Sequence, residues 1–213
     1  MIGIFGGTFD PVHYGHIKPA LSVKQALNLT QLRFIPNRLP PHRAVPWLSA
    51  EQRLQLLKAA LQDYPDVVID ERELKRAGPS YMVDTLGSLK QEFPDESMCL
   101  IIGMDAFFGI TSWVKWKLLF ELCHLVVTKR PGFDQDAIEA QFAGVDYAFL
   151  APRITMDVNE LSRQESGKIL LQSVPQLDIS STQIRDNLLD DEQISQWMPK
   201  QVYKQLRGFI DDD

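Results

Sequence analysis

Three observations predict an α/β protein built on an open, mostly parallel sheet with helices on both faces. Short apolar runs alternate with longer segments of helical periodicity, the order that builds strand–helix–strand units. One run, Met98–Gly103 (MCLIIG), is apolar almost throughout, as a parallel strand covered on both faces must be. The chain also opens on an apolar run, Met1–Phe5, followed by Gly6 and Gly7 and then a helical segment. That strand–loop–helix order lets backbone come close to a ligand.

Gly6 and Gly7 are read as ending the first strand. A helix follows over about His16–Leu27, apolar at Ile17, Ala20, Leu21, Val23 and Leu27, with Pro19 in its first turn, where a missing N–H is harmless. Gln31–Pro36 predicts the second strand, and Asn37–Pro46 a proline-rich loop carrying Arg38, His42 and Arg43. Ser49 and Gln52 form a capping box for a helix running to about Gln62, with Leu54, Leu57 and Leu61 on one face. Asp66–Asp70 is a third strand, Glu71–Arg76 a charged turn, and Ser80 caps a helix over Tyr81–Glu92.

After the central strand, Thr111–Trp113 reads as a loop, followed by Trp116 and a short helix through Leu122. His124–Thr128 is a fifth strand, in which His124 reads as structural; Gln135–Phe142 is a helix. Asp146–Leu150 and Lys168–Gln172 are predicted as further strands, and residues 151–167 show no clear pattern. Ser180, Ser181 and Thr182 stand at the start of a helix within Asp178–Leu189, and a last helix begins at Pro199 and ends at Gly208. With no repeat or linker, residues 1–213 read as one domain whose 180–213 portion is a C-terminal helical part.

The net charge of −6 argues against nucleic-acid or membrane-surface binding, which needs a basic face. No apolar stretch is long enough to span a bilayer, and no signal segment precedes the first strand, so a cytoplasmic protein is expected. Cys99 and Cys123, widely spaced, suit buried apolar roles, and no cysteine–histidine cluster has zinc spacing.

The candidate chemistry lies in the loops. A helix N-terminus behind two glycines suits phosphate, and His13 and His16, three apart, can face one side of one turn and donate to developing charge. A tight turn bearing two surface histidines is the plainer alternative. Ser181, Thr182 and Arg185 form a second candidate anion site, or simply a capped helix. Gly103 and Asp105, at the end of the central strand, can meet a ribose or base, with a helix N-cap as the alternative reading of Asp105.

GGTFDPVHYGH resembles the H-x-G-H signature of the nucleotidyltransferase superfamily, here His13-Tyr14-Gly15-His16, in which the motif follows the first strand of a Rossmann-like domain. Together with PNRLPPHR (36–43), ERELKRAGPSY (71–81), IIGMD (101–105), TSW (111–113), KRPG (129–132) and ISSTQIR (179–185), it resembles the bacterial nicotinate-nucleotide adenylyltransferase family. The resemblance covers most of the chain to about residue 190. It implies adenylyl transfer from ATP to nicotinate mononucleotide, with Mg²⁺ accompanying ATP. His13 and His16 are then catalytic, and Gly6, Gly7, Thr8, Phe9, Gly103, Asp105, Ser181, Thr182 and Arg185 bind ATP. Asn37, His42, Arg43, Tyr81, Met82, Trp113 and Arg130 bind the nicotinate nucleotide, with Trp113 on the ring. The chain departs from the family at Met82, where threonine is common: Met82 offers a backbone N–H but no hydroxyl. Other nucleotidyltransferases, and a non-catalytic nucleotide sensor on the same fold, are the rival readings.

Overall fold

The structure, a computed structural model, describes residues 1–40, 45–129, 136–142, 144–175, 177–188 and 190–211. Seven strands form one sheet: β1 (Ile2–Gly7), β2 (Gln31–Pro36), β3 (Val67–Ile69), β4 (Met98–Gly103), β5 (His124–Lys129), β6 (Ile154–Thr155) and β7 (Ile169–Ser173). Their order is β3-β2-β1-β4-β5-β7-β6 and every pairing is parallel. The connections from β1 run outward through β2 to β3, then return across β1 to β4. The order therefore reverses between β1 and β4, and ligands of open parallel sheets bind beyond the strand ends at such a reversal.

Helices cover both faces: α1 (Tyr14–Ala26), α2 (Ala50–Leu61), α3 (Arg72–Lys75), α4 (Met82–Glu92), α5 (Met104–Phe108), α6 (Leu119–Leu122), α7 (Asp136–Gln141), α8 (Gly144–Leu150), α9 (Ser181–Asp186), α10 (Asp191–Trp197) and α11 (Lys200–Asp211). One core layer packs α1, α2, α10 and α11 through Ile17, Leu57, Ile194 and Leu206; the other packs α4, α6 and α8 through Leu86, Leu119 and Leu150. The strands feed both layers by alternation: Ile4, Leu100 and Val127 point to one, Cys99, Ile101 and Val126 to the other. Among the described residues no helix is long and apolar enough to cross a membrane.

The capping box at Ser49 and Gln52 is present, and β2 and β4 occupy their predicted spans. Several expectations are corrected. Gly6 and Gly7 do not stop β1; they continue it, paired with Ile35 and Pro36. Helix α1 starts at Tyr14 because His13 caps it, so Pro19 lies beyond the first turn and withholds an N–H from the carbonyl of Gly15. Ser80 is not the cap of α4: Tyr81 holds that position, and the Ser80 hydroxyl instead accepts the Arg38 N–H at 3.0 Å. The turn after β3 closes into the one-turn α3.

Asp146–Leu150 is helical, not a strand. The sheet edge beside β7 is taken by β6, which residues 151–167 contribute, and Phe149 packs edge-on against Trp116 and Phe120 at 5.2 and 5.3 Å. Gly208 does not end α11. Val202, Leu206, Phe209 and Ile210 pack against the core on both sides of it, and that packing outweighs glycine's poor helix propensity. A Cβ at Gly208 would meet nothing within 4 Å. Gly208→Ala is therefore expected to raise the unfolding free energy by roughly 0.5–1 kcal/mol, read as a higher denaturant midpoint at unchanged slope.

Candidate active site

The site grows from the carboxyl end of β1. Alternation turns Gly6 toward one core layer and Gly7 toward the other. A Cβ on Gly6 would come within 2.7 Å of Met82 Cε, and one on Gly7 within 2.8 Å of the Phe9 ring. Crowding by the buried Phe9 ring, and not a turn, calls for glycine at position 7, whereas at Gly6 the neighbour is the flexible tip of Met82, which can move aside. Phe9 is buried (1% exposed) at a φ of 52°, with its ring against Phe5, Phe34 and His16. Of Phe9, only the backbone can face a nucleotide; its side chain anchors the loop from below.

His13 stands at the start of α1 and is 4% exposed. Its Nδ1 accepts the backbone N–H of Gly15 at 3.1 Å. A backbone N–H can only donate, so Nδ1 is unprotonated and the ring proton sits on Nε2. Burial, and then the neighbouring His16, lower the His13 pKa to about 2. His13 is thus a neutral imidazole with one N–H to give. His16 lies one turn on, its ring centroid 3.8 Å from that of His13 and 5.3 Å from Phe9. The pair that H-x-G-H spacing predicts is therefore formed.

Around the histidines, hydrogen bonds tie three segments together. The Asn37 N–H donates to the Gly7 carbonyl at 3.0 Å, and its side-chain amide donates to Thr8 Oγ1 at 3.2 Å. Ser181 Oγ donates to the Pro11 carbonyl at 3.0 Å. Arg185 donates to the Asp10 carbonyl at 2.6 Å and to Thr182 Oγ1 at 3.0 Å. The start of α9 thus docks on the first loop. Ser180 caps α9 through a box with Gln183. Thr182 is exposed, while Ser181 and Arg185 are half-buried.

Gly103, and not Asp105, caps α5; Asp105 is exposed in the first turn, its carboxylate folded so close over Gly103 that a Cβ there would lie 2.6 Å from Oδ1. Tyr81, Met82 and Trp113 pack against the core layer opposite to the one beneath the histidines, half-buried at the start of α4 and after α5. Of these three, Met82 reaches the end of β1, its Cε standing over Gly6. His42, Arg43 and Arg130 lie outside the described residues.

Residues outside the predicted site set hold this assembly. The Asp10 carboxylate accepts the N–H groups of Trp47 and Leu48 at 2.8 and 2.9 Å. Arg53, 1% exposed, donates to main-chain carbonyls of Thr8, Asn37, Leu48 and Arg38 at 2.7, 2.8, 3.3 and 3.3 Å. It shares the buried stripe of α2 with Leu56, Leu57, Ala60 and Leu61, and a charged residue in phase with an apolar stripe was the signal available. Near α4, the buried Glu73 carboxylate accepts the Thr85 hydroxyl at 2.6 Å, and burial raises its pKa. His124 is structural as expected: it is fully buried at the opposite end of β5, with Nδ1 accepting the Lys168 N–H. Cys99 and Cys123 are buried free thiols, and burial pushes Cys99 up to about 12.

Residues 4–187 match the family described as Cytidylyltransferase-like, which makes the chain a nucleotidyltransferase by fold and sequence. A probable nicotinate-nucleotide adenylyltransferase of Halorhodospira halophila is 45% identical over 205 residues, covering 96% of this chain and 92% of that protein. One of Methylococcus capsulatus is 44% identical, covering 95% and 94%. At that identity and coverage the chain belongs to the nicotinate-nucleotide adenylyltransferase family. The fold is shared with the Plasmodium falciparum nicotinic acid mononucleotide adenylyltransferase complexed with NaAD, at a TM-score of 0.72 and 17% identity over 98% of this chain and 95% of that one. The same Plasmodium enzyme complexed with APC gives 0.69 at 18%, covering 98% and 94%.

The His13 environment predicts a pH dependence of stability. Its folded pKa of about 2 lies below the unfolded value near 6.5, so the unfolded chain takes up a proton that the folded one refuses. Stability therefore falls as pH drops below about 6.5, by up to about 1.4 kcal/mol per unit for this one group. His124, also lowered by burial, acts in the same sense. His13→Asn keeps a capping acceptor but cannot be protonated. Denaturant unfolding of this variant is expected to show a loss between pH 7 and 5 smaller than wild type by about 1–2 kcal/mol.

Proposed function

We propose that the protein transfers the adenylyl group of ATP to nicotinate mononucleotide, giving deamido-NAD and pyrophosphate, a step of NAD biosynthesis. The observation that carries this reading is the close His13–His16 ring pair in the loop-to-helix junction that follows Gly6 and Gly7, at the reversal of strand order. A phosphate oxygen of the mononucleotide attacks the α-phosphorus of ATP. The new P–O bond forms as the bond to the β-phosphate bridging oxygen breaks, and pyrophosphate leaves with that oxygen. The nucleophile is already ionised, so no general base is called for. What the protein must do is hold two anions in line and stabilise the extra charge.

A neutral His13 suits that task. It offers an Nε2–H without losing a proton, and His16 beside it contacts the α-phosphate as charge builds. The β1 backbone at Gly6 and Gly7, Thr8, and the Ser181–Arg185 segment hold the ATP phosphates, and Mg²⁺ enters as part of the Mg²⁺–ATP substrate. Trp113 stacks on the nicotinate ring. The first N–H groups of α4, at Met82 and Val83, have no acceptor within the helix and lie at its positive end. They meet the nicotinate carboxylate, which accepts from donors where an amide nitrogen cannot.

Purified protein with Mg²⁺–ATP is expected to release pyrophosphate with nicotinate mononucleotide much faster than with nicotinamide mononucleotide. Equal rates, or faster release with the amide, overturn the acid assignment; no release with either overturns the activity. His16→Ala is expected to lower kcat by roughly 10²–10³-fold, the scale for removing one preorganised donor to transition-state charge. Unchanged turnover in that variant removes His16 from the mechanism.

A further inference from the structure

Arg53 is one of the largest fully buried side chains of the protein, yet it is charged. Its four hydrogen bonds all go to main-chain carbonyls, and these belong to three separate segments: Thr8 after β1, Asn37 and Arg38 after β2, and Leu48 before α2. A buried guanidinium gives up its hydration, and a buried apolar residue would fill the same stripe of α2 without that cost. The guanidinium is instead placed where its rigid, five-donor fork reaches the walls of the crevice. Leu48 is gripped twice, its N–H by Asp10 and its carbonyl by Arg53. Asp10 in turn accepts from Arg185 through its own carbonyl. The same set of contacts therefore links the loop before the histidines, the loop after β2 and the start of α9.

We infer that Arg53 is a positioning residue for adenylyl transfer: its guanidinium sets the Thr8 loop against the Asn37–Arg38 loop, so that the two walls holding the reacting phosphates keep one separation. It is not a catalytic residue: four of its five donors are spent on main-chain carbonyls, and the side chain is buried beneath the site. The inference rests on the adenylyl-transfer reading for its kinetic consequence but not for its structural one. Lysine keeps the charge as a single point and cannot span three segments as a planar fork does. Methionine keeps the length and apolar stem but removes charge and donors.

Two measurements on Arg53→Met and Arg53→Lys test the assignment. In steady-state assays normalised to folded protein, both variants are expected to lose about 10–10²-fold in kcat, with both substrate KM values within about threefold of wild type. That pattern is the expected result of misplaced reacting groups. Full recovery of kcat in Arg53→Lys, or a loss accounted for by the unfolded fraction alone, overturns the inference. In hydrogen exchange of the full-length protein without substrate, Arg53→Met is expected to speed exchange at residues 7–10 and 37–39 at least tenfold, leaving β4 unchanged. Exchange unchanged at those two segments, or raised equally in β4, also overturns it. If wild type fails to turn over nicotinate mononucleotide, the proposed activity is wrong, and the exchange result alone decides the role of Arg53.

Discussion

The hydrogen bond from the Gly15 N–H to His13 Nδ1 organises the site. It caps α1, so the helix begins where the loop from β1 ends. It also commits one ring nitrogen as acceptor, which leaves the other as donor. With the ring held, the His16 ring one turn later lies tilted against it, the centroids 3.8 Å apart. Burial and that neighbour keep His13 neutral, so the start of the helix presents a hydrogen-bond donor without adding a full positive charge. One short local contact thus sets helix start, tautomer and pair geometry together.

The sheet then decides what surrounds the pair. Because side chains alternate along β1, consecutive glycines let neighbours close on its end from both faces, Met82 on one and Phe9 on the other. The price is a strand end with no side chains of its own to order it. Order is restored from outside, by Phe9 below, Asn37 alongside, and α9 docking on the carbonyls of Asp10 and Pro11.

Much of this was legible where the cause was local. The Ser49–Gln52 box, the apolar run of β4 and the three-residue spacing of the histidines depend on neighbours within one turn or one strand. Reading failed where the cause was distant. Asp146–Leu150 imitates a strand until Phe149 finds Trp116 and Phe120, and Gly208 looks like a terminator until Phe209 and Ile210 find the core. Ser80 resembles a cap, but its hydroxyl is taken by Arg38, 42 residues earlier. Asp10 and Arg53 escaped for the same reason: Arg53 reaches back 45 residues to Thr8, and no short motif records such a contact.

Those contacts of Arg53 have one more property. Every acceptor is a peptide carbonyl, a group that all twenty amino acids supply alike. The brace therefore places no demand on the identity of the residues at positions 8, 37, 38 and 48, only on the path of the chain through them. The frame is thus set independently of the side chains these loops carry, among them the Asn37 amide that donates to Thr8 Oγ1. A fold braced in this way can be re-tuned to a different acceptor nucleotide by surface changes alone, without first rebuilding the machinery that holds the phosphates.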